Sequence, residues 1–234
     1  MAGENSAYDG RRFGRQRCAS GSLPRHRHEF SYMCVVLGGH FLEAGDSGRF
    51  RVAPGDVLIH RTFEGHFDIF DGTGADVLNL PMPRAGIRGG RFRVADPDAI
   101  VRIAEDDAAA ASAAAAAQWT EAPGESDWPD MLARDLATLR PLRIGEWAAR
   151  HRLAPATVSR GFRQAYGSTP ARFRAELRAR HAWARLPAAE GPLVHLALDA
   201  GFADQAHMTR SIRRLTGAPP ACWRREVKSV QDAG

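Results

Sequence analysis

The chain has 234 residues, enough for one large domain or two small ones. Hydrophobic residues make up 44% and charged residues 25%, which is ordinary for a globular protein, and no run of 18 apolar residues predicts a membrane span. The first 16 residues are polar and rich in arginine, so we expect no secretory signal. The three cysteines are scattered and form no CxxC pair, which favours a reducing cytoplasm over a disulfide framework.

The charge is distributed unevenly along the chain. The formal net charge is +5, but residues 141–234 carry 16 basic and 7 acidic residues. The first 140 residues carry the other 16 basic and 20 acidic residues. A basic half of this kind is either a solvated surface or a surface that binds nucleic acid.

The N-terminal half is predicted to be a β domain. Residues 1–22 show no periodic pattern and are expected to be mobile. Between residues 23 and 97, short apolar runs such as residues 32–37 and 57–59 are separated by turn signals such as Pro54-Gly55. Short runs at this spacing are typical of a β-sandwich or β-barrel.

Residues 98–128 are dominated by alanine. The run from Ala108 to Ala117 is interrupted only by Ser112, and alanine is the best helix former. The segment is therefore predicted to be helical. Two interpretations remain open, a helical linker and a closely packed helix through which two copies of the chain dimerise.

Two similar helical units are predicted within residues 129–228. Val158 and Phe162 lie at i and i+4 in the first unit, and Met208 and Ile212 do so in the second, so each pair is expected to face inward. Each unit consists of two short helices joined by a tight turn, and its second helix has an apolar back and a basic front. This arrangement is typical of a helix-turn-helix.

The spacing of the two units suits a DNA duplex. Arg160 and Arg210 occupy the same place between the inward residues of their units. A helix of about 16 residues between the units would be about 24 Å long. It could hold the two outer helices in successive major grooves, about 34 Å apart. The alternative is an all-α bundle whose basic face is only solvated.

The most specific signal is a resemblance to the AraC/XylS family of bacterial transcription regulators. Residues 201–210, with the Gly-Ala-Pro-Pro of residues 217–220, resemble the second helix-turn-helix of that family, and residues 158–162 with Gly167 resemble the first. The resemblance covers about residues 130–226. It implies an α+β protein of two domains, with an N-terminal cupin-like β-barrel and a C-terminal all-α domain in which a long helix joins two helix-turn-helix subdomains.

The resemblance also implies a function and a set of contact residues. The protein would be a sequence-specific transcription regulator and not an enzyme, with double-stranded DNA as its partner and no membrane partner. A small-molecule effector, RNA polymerase and a second copy of the chain are further candidate partners. In the family, outward residues of both recognition helices contact DNA, and the matching positions are Ala156, Ser159, Arg160, Arg163, Gln205, Ala206, Thr209, Arg210 and Arg213.

The first unit departs from the family pattern at two positions. Arg152 stands where the family usually has glycine in the turn, and Ala154 stands where it usually has a serine N-cap. Loss of such a cap costs about 1 kcal/mol.

The β half contains histidines that resemble a cupin metal site in part. His26 and His28 form a His-x-His pair, and neutral imidazole is a ligand for Zn, Fe, Ni and Cu. The metal-binding pattern needs a glutamate a few residues later, where this chain has Tyr32 and Met33, and Leu58 stands where the later histidine is expected.

These departures predict neither a metal nor another cofactor. They favour either polar histidines at the mouth of the barrel or a small-molecule pocket without a metal. The family architecture would line such a pocket with His26, His28, Tyr32 and His66. The alternative function is a metal-dependent cupin enzyme or metal sensor with a helical appendage. The missing glutamate counts against it, because such an enzyme needs a carboxylate ligand or base.

Overall fold

The structure is a computed structural model that describes residues 13–84 and 86–224. The chain divides into two units, residues 1–127 and residues 128–234. The first unit is rich in β-sheet and the second is helical. This confirms the predicted two-domain layout with a β-rich N-terminal half and a helical C-terminal half.

The first unit contains one antiparallel sheet of eight strands. They are β1 (Gly14–Cys18), β2 (Gly21–Arg27), β3 (Tyr32–Gly45), β4 (Gly48–Val52), β5 (Asp56–His60), β6 (Gly65–Pro81), β7 (Gly90–Arg93) and β8 (Thr120–Glu121). The order is β1-β6-β3-β5-β7-β8, with β2 also paired to β6 and β4 to β3. The long strands β3 and β6 thus pair with different neighbours along their two halves.

An irregularity in the middle of β3 bends the sheet. The register between β3 and β6 shifts between Val36 and Gly38 and again between Gly39 and Phe41. Gly39 has a φ of +75°, and a Cβ there would collide with the carbonyl oxygen of Gly74 on β6. Only glycine allows the two backbones to approach so closely in this conformation.

For residues 14–22, the structure corrects the prediction of a mobile segment over residues 1–22. β1 and the start of β2 lie in this segment, and β1 pairs with residues 75–79 of β6. Arg15 on β1 donates a hydrogen bond of 2.9 Å to Asp76. Cys18 at the end of β1 also packs against an apolar cluster that contains Cys34 and Val77. Residues 1–12 lie outside the described part of the chain.

The alanine-rich segment belongs to the first unit and is not a linker. It forms α1 (Pro97–Asp106) and α2 (Ala108–Gln118). Ile100, Ala111 and Ala115 are fully buried in a core cluster that also contains strand residues such as Met33 and Leu80. The prediction of a separate segment over residues 98–128 was therefore wrong, since one face of each helix covers the sheet.

The second unit consists of helices, described as far as residue 224. They are α3 (Trp128–Ala137), α4 (Ile144–Arg150), α5 (Pro155–Tyr166), α6 (Pro170–Arg185), α7 (Leu193–Asp199) and α8 (Gln205–Thr216), and residues 220–224 are also helical. In the described part of the chain, no helix has the length and hydropathy needed to cross a membrane.

Helix α6 contributes to two apolar clusters. Near its start, Phe173 packs edge-to-face against Phe162 and Tyr166 of α5, with ring centroids 5.3 and 5.4 Å apart. Near its end, Ala182 and Leu186 pack with residues of α7 and α8. A single helix therefore supports both helix pairs, α4–α5 and α7–α8.

Candidate nucleic-acid interface and cavity

Helix α5 presents a polar, basic face. Its inward residues Val158 and Phe162 are fully buried, as predicted. Pro155 begins the helix, and Gly167 ends it in the left-handed conformation with a φ of +62°. The four predicted contact residues on this helix are all exposed: Ala156, Ser159, Arg160 and Arg163.

Helix α8 has the same construction. Met208 and Ile212 are fully buried, and Gly217 ends the helix with a φ of +80°. Its N-cap residue, Asp204, accepts a hydrogen bond of 2.6 Å from the backbone N–H of His207. Of the five predicted contact residues, Gln205, Ala206, Arg210 and Arg213 are exposed and Thr209 is half-buried.

The turns that precede α5 and α8 are equivalent. In the first, Arg152 has a φ of +56°, and the N–H of Leu153 donates a 2.9 Å hydrogen bond to the carbonyl of Ala148. In the second, Gly201 has a φ of +76°, and the N–H of Phe202 donates a 2.9 Å bond to the carbonyl of Ala197. The arginine therefore adopts a left-handed backbone that glycine adopts at lower cost.

Four outward arginines have no partner within the described chain. The side chains of Arg160, Arg163, Arg210 and Arg213 make no hydrogen bond or ion pair with a described residue. Guanidinium groups that the protein leaves unpaired can bind phosphate, or can bind guanine through two hydrogen bonds.

A cavity of about 910 Å³ lies in the first unit. All four residues that were predicted to line an effector pocket, His26, His28, Tyr32 and His66, line it. The ring centroid of His66 lies 4.2 Å from that of His26 and 5.3 Å from that of His28. The structure thus brings the predicted set together.

Three further ionisable residues line this cavity, and the sequence analysis did not include them in the predicted pocket. Glu43, His60 and Asp68 line the cavity and are buried. His60 Nε2 lies 3.6 Å from a carboxylate oxygen of Glu43, and His66 Nε2 lies 3.7 Å from one of Asp68. A partial signal was present, because Glu43 alternates with the apolar Phe41, and Asp68 with His66, as residues on one face of a strand do.

Burial controls the protonation of this cluster. It lowers the pKa of both His28 and His60 to about 3, which keeps these imidazoles neutral at pH 7. Burial also raises the pKa of Asp68 to about 8 and holds the pKa of Glu43 well above its usual range, where the nearby Asp68 and Glu64 raise it further. The cavity therefore favours uncharged forms of its acids and bases.

Two overlapping groups in the cavity have the composition of a metal site. They are His26, His28 and His66, and Glu43, His60 and His66. In each group the candidate ligand atoms lie within 4.8 Å of one another. The motif position lacks a glutamate, but Glu43 reaches the cluster from farther along β3.

Comparison with known proteins identifies the helical half. Residues 147–226 match a family model described as a helix-turn-helix domain. This match lies in the part of the chain for which the sequence predicted helix-turn-helix structure.

Several solved structures are similar to the chain. The DNA-binding domain of the global transcriptional factor AdpA, in complex with a target DNA, is 22% identical and covers 47% of this chain and 100% of its own, with a TM-score of 0.42. Unsaturated fatty acid-bound ToxT from Vibrio cholerae is 10% identical and covers 90% of this chain and 93% of its own, with a TM-score of 0.40. A probable AraC family transcriptional regulator from Rhodopseudomonas palustris is 22% identical and covers 41% and 93%, with a TM-score of 0.38. No curated protein matches the chain.

Proposed function

We propose that the protein is a sequence-specific transcription regulator that inserts α5 and α8 into adjacent major grooves of one DNA duplex. The observation that carries this proposal is the repetition of one surface. Both helices bury a pair of residues at i and i+4, follow a turn with a left-handed residue, and expose two arginines that have no described partner. In this proposal, α4–α5 and α7–α8 are the two helix-turn-helix subdomains.

The connecting helix has a suitable length for this arrangement. α6 contains 16 residues, which corresponds to about 24 Å. Its two ends support different helix pairs, so α5 and α8 are held apart along it. Successive major grooves on one side of a duplex are about 34 Å apart.

The exposed side chains divide into two roles. Arg160, Arg163, Arg210 and Arg213 supply positive charge toward the phosphates and can also donate two hydrogen bonds to guanine. Gln205 can bind adenine in the same bidentate way, and Ser159 and Thr209 can bind several bases. Ala156 and Ala206 offer only apolar contact, for which the methyl group of thymine is suitable.

The first unit would be a cupin-like sensor domain that controls DNA binding. Its cavity is large enough for a small molecule, and residues from five strands line it. An effector controls DNA binding only if the cavity binds it more tightly in one of the two states of the protein. We place the regulator in the cytoplasm, with RNA polymerase and a second copy of the chain as candidate partners, and the three free cysteines fit that compartment.

The decisive test is the replacement of one outward arginine. In vitro selection with the full-length protein first supplies a bound DNA sequence. On that sequence, Arg210→Ala should weaken binding by about 1–3 kcal/mol, because a base or phosphate contact is lost. Arg102→Ala is the matched control, since this arginine is also exposed but lies on α1 of the first unit.

Fluorescence anisotropy measures both variants, and circular dichroism confirms that they are folded. Unchanged affinity of a folded Arg210→Ala variant would remove α8 from the interface. Arg160→Ala tests α5 in the same way. If both helices are required for binding, the DNA site obtained by selection should span two helical turns.

A further inference from the structure

We propose that the first unit binds a divalent transition-metal ion through Glu43, His60 and His66. Two imidazoles and one carboxylate form a ligand set that suits Fe(II), Co(II), Ni(II) and Zn(II). The proposal does not depend on DNA binding, because it concerns a site within the sheet-rich unit alone.

The three side chains converge from separate strands. Glu43 lies on β3, His60 on β5 and His66 on β6, and β3 pairs with both of the other strands. The backbone register places Gly45 of β3 opposite His66, so that Glu43 lies two residues from that pair. Ligands on central, paired strands are held more rigidly than ligands on loops, which favours a preformed site.

The distances are close to those of a metal site. His60 Nε2 and a carboxylate oxygen of Glu43 are 3.6 Å apart, and all the candidate ligand atoms lie within 4.8 Å of one another. Two ligand atoms that are each about 2.1 Å from a metal are separated by roughly 3–3.5 Å in tetrahedral or octahedral geometry. Small side-chain rotations would therefore close the site.

Two buried polar atoms at this site have no hydrogen-bond partner among the described residues. They are the Nδ1 of His66 and one carboxylate oxygen of Asp68. The contacts of 3.6 and 3.7 Å between the imidazoles and carboxylates are too long to be hydrogen bonds. Buried polar groups in native proteins are nearly always satisfied, so these groups point to an absent ligand.

The chemical state of the side chains also suits metal binding. Burial lowers the pKa of His60 to about 3, which leaves its imidazole lone pair available at neutral pH. Burial raises the pKa of Glu43 well above its usual range, because a charged carboxylate is costly in this environment. A bound dication would balance the negative charge of that carboxylate.

The group formed by His26, His28 and His66 is the competing site. It shares His66 but contains no carboxylate, and His26 and His28 are only half-buried. Three neutral imidazoles leave both charges of a dication uncompensated by a ligand in a low-dielectric site. Glu43 removes part of that charge, and Asp68, close to His66, can accept a bond from the imidazole and orient it.

The experiment uses the full-length chain after treatment with a chelator. Titration with Co²⁺ is followed by its visible absorption, and Zn²⁺ competition gives the affinity for zinc. We expect one ion per chain. Glu43→Gln and His60→Gln should each weaken binding by at least about 10-fold, since loss of a direct ligand costs no less than loss of an outer-shell partner. His26→Gln is the control, because this histidine lines the same cavity but is not a proposed ligand.

Some outcomes would overturn the proposal. They are the absence of saturable binding to the wild-type chain, or a loss of binding in His26→Gln with retention in His60→Gln. If a variant does not fold, X-ray absorption of the cobalt-loaded wild-type protein decides instead. Two imidazoles with a carboxylate would support the site, and three imidazoles would reject it.

Discussion

The burial of Asp68 should make the free energy of unfolding of the first unit depend on pH. Its carboxyl group lies among histidines and beside Glu43, and burial raises its pKa to about 8. In the unfolded chain the pKa of an aspartate is about 3.9. Between these two values the folded protein therefore holds a proton that the unfolded chain has lost.

The replacement Asp68→Asn should remove this pH dependence. In the wild type, the proton bound only by the folded state makes the free energy of unfolding fall as pH rises from about 4 to about 8. The variant has no carboxyl group to titrate. The free energy of unfolding of the variant minus that of the wild type should therefore increase from pH 5 to pH 8. Urea unfolding in the presence of a chelator measures both values.

Asp71→Asn is the matched control for this prediction. Asp71 lies on the same strand but is exposed. Its replacement controls for the loss of a negative charge on this strand at an exposed position. A constant stability difference between Asp68→Asn and wild type across this range would show that Asp68 ionises normally.

Some residues of the cavity could be predicted from the sequence and others could not. His26, His28, Tyr32 and His66 were predicted together, and they line one cavity. Glu43 was missed because two register shifts separate it from Tyr32 on β3, so its alternation with Phe41 does not show which cavity it faces. A residue's face on a strand is predictable only while the strand remains regular.

At the scale of elements, the N-termini of α5 and α8 differ in a way that can be measured. Ala154 precedes α5 in an extended conformation and makes no side-chain cap, whereas Asp204 caps α8 through the N–H of His207. An N-cap side chain satisfies one of the helix's free N–H groups. The effect of a side-chain N-cap can therefore be compared between α5 and α8 within one protein.

Opposite changes at these caps should have opposite effects. Ala154→Ser should raise the free energy of unfolding, and Asp204→Ala should lower it, each by about 0.5–2 kcal/mol. Urea unfolding of the full-length protein measures both. Ala171→Ser, one residue after the first residue of α6, is the control and should give no gain. If Ala154→Ser behaves like that control, then α5 does not need a side-chain cap.

The elements that were predicted well are those with strong periodicity. The inward pairs of α5 and α8 and the glycines that end these helices follow from spacing alone. β1 and β7 were missed, because each is short and polar and is defined by its partner strand. In α2, alanine predicted the helix but not its packing, in which Ser112 donates a 2.7 Å hydrogen bond to the carbonyl of Pro81.

At the scale of the molecule, the boundary between the units falls between residues 127 and 128. The residues before it are attached to β4. Arg49 donates a hydrogen bond of 2.6 Å to Asp127, and its carbonyl accepts one of 2.8 Å from the N–H of Glu125. Residues after it form clusters within the second unit, such as that of Phe162, Tyr166 and Phe173. A fragment that starts at residue 128 would therefore preserve the described contacts of the helical unit.

This fragment, residues 128–234, should fold and bind DNA by itself. Residues 141–234 hold 16 of the 32 basic residues of the chain and only 7 of the 27 acidic ones, so the charge that attracts phosphates lies in this part. The logarithm of its binding constant should fall linearly with the logarithm of salt concentration, with a slope of about −0.9 per phosphate contacted. Because the outward arginines of α5 and α8 all lie in the fragment, its slope should equal that of the full-length chain. Anisotropy titrations on one selected duplex at several salt concentrations measure both slopes, and a markedly steeper slope for the full chain would mean that the first unit also contacts DNA.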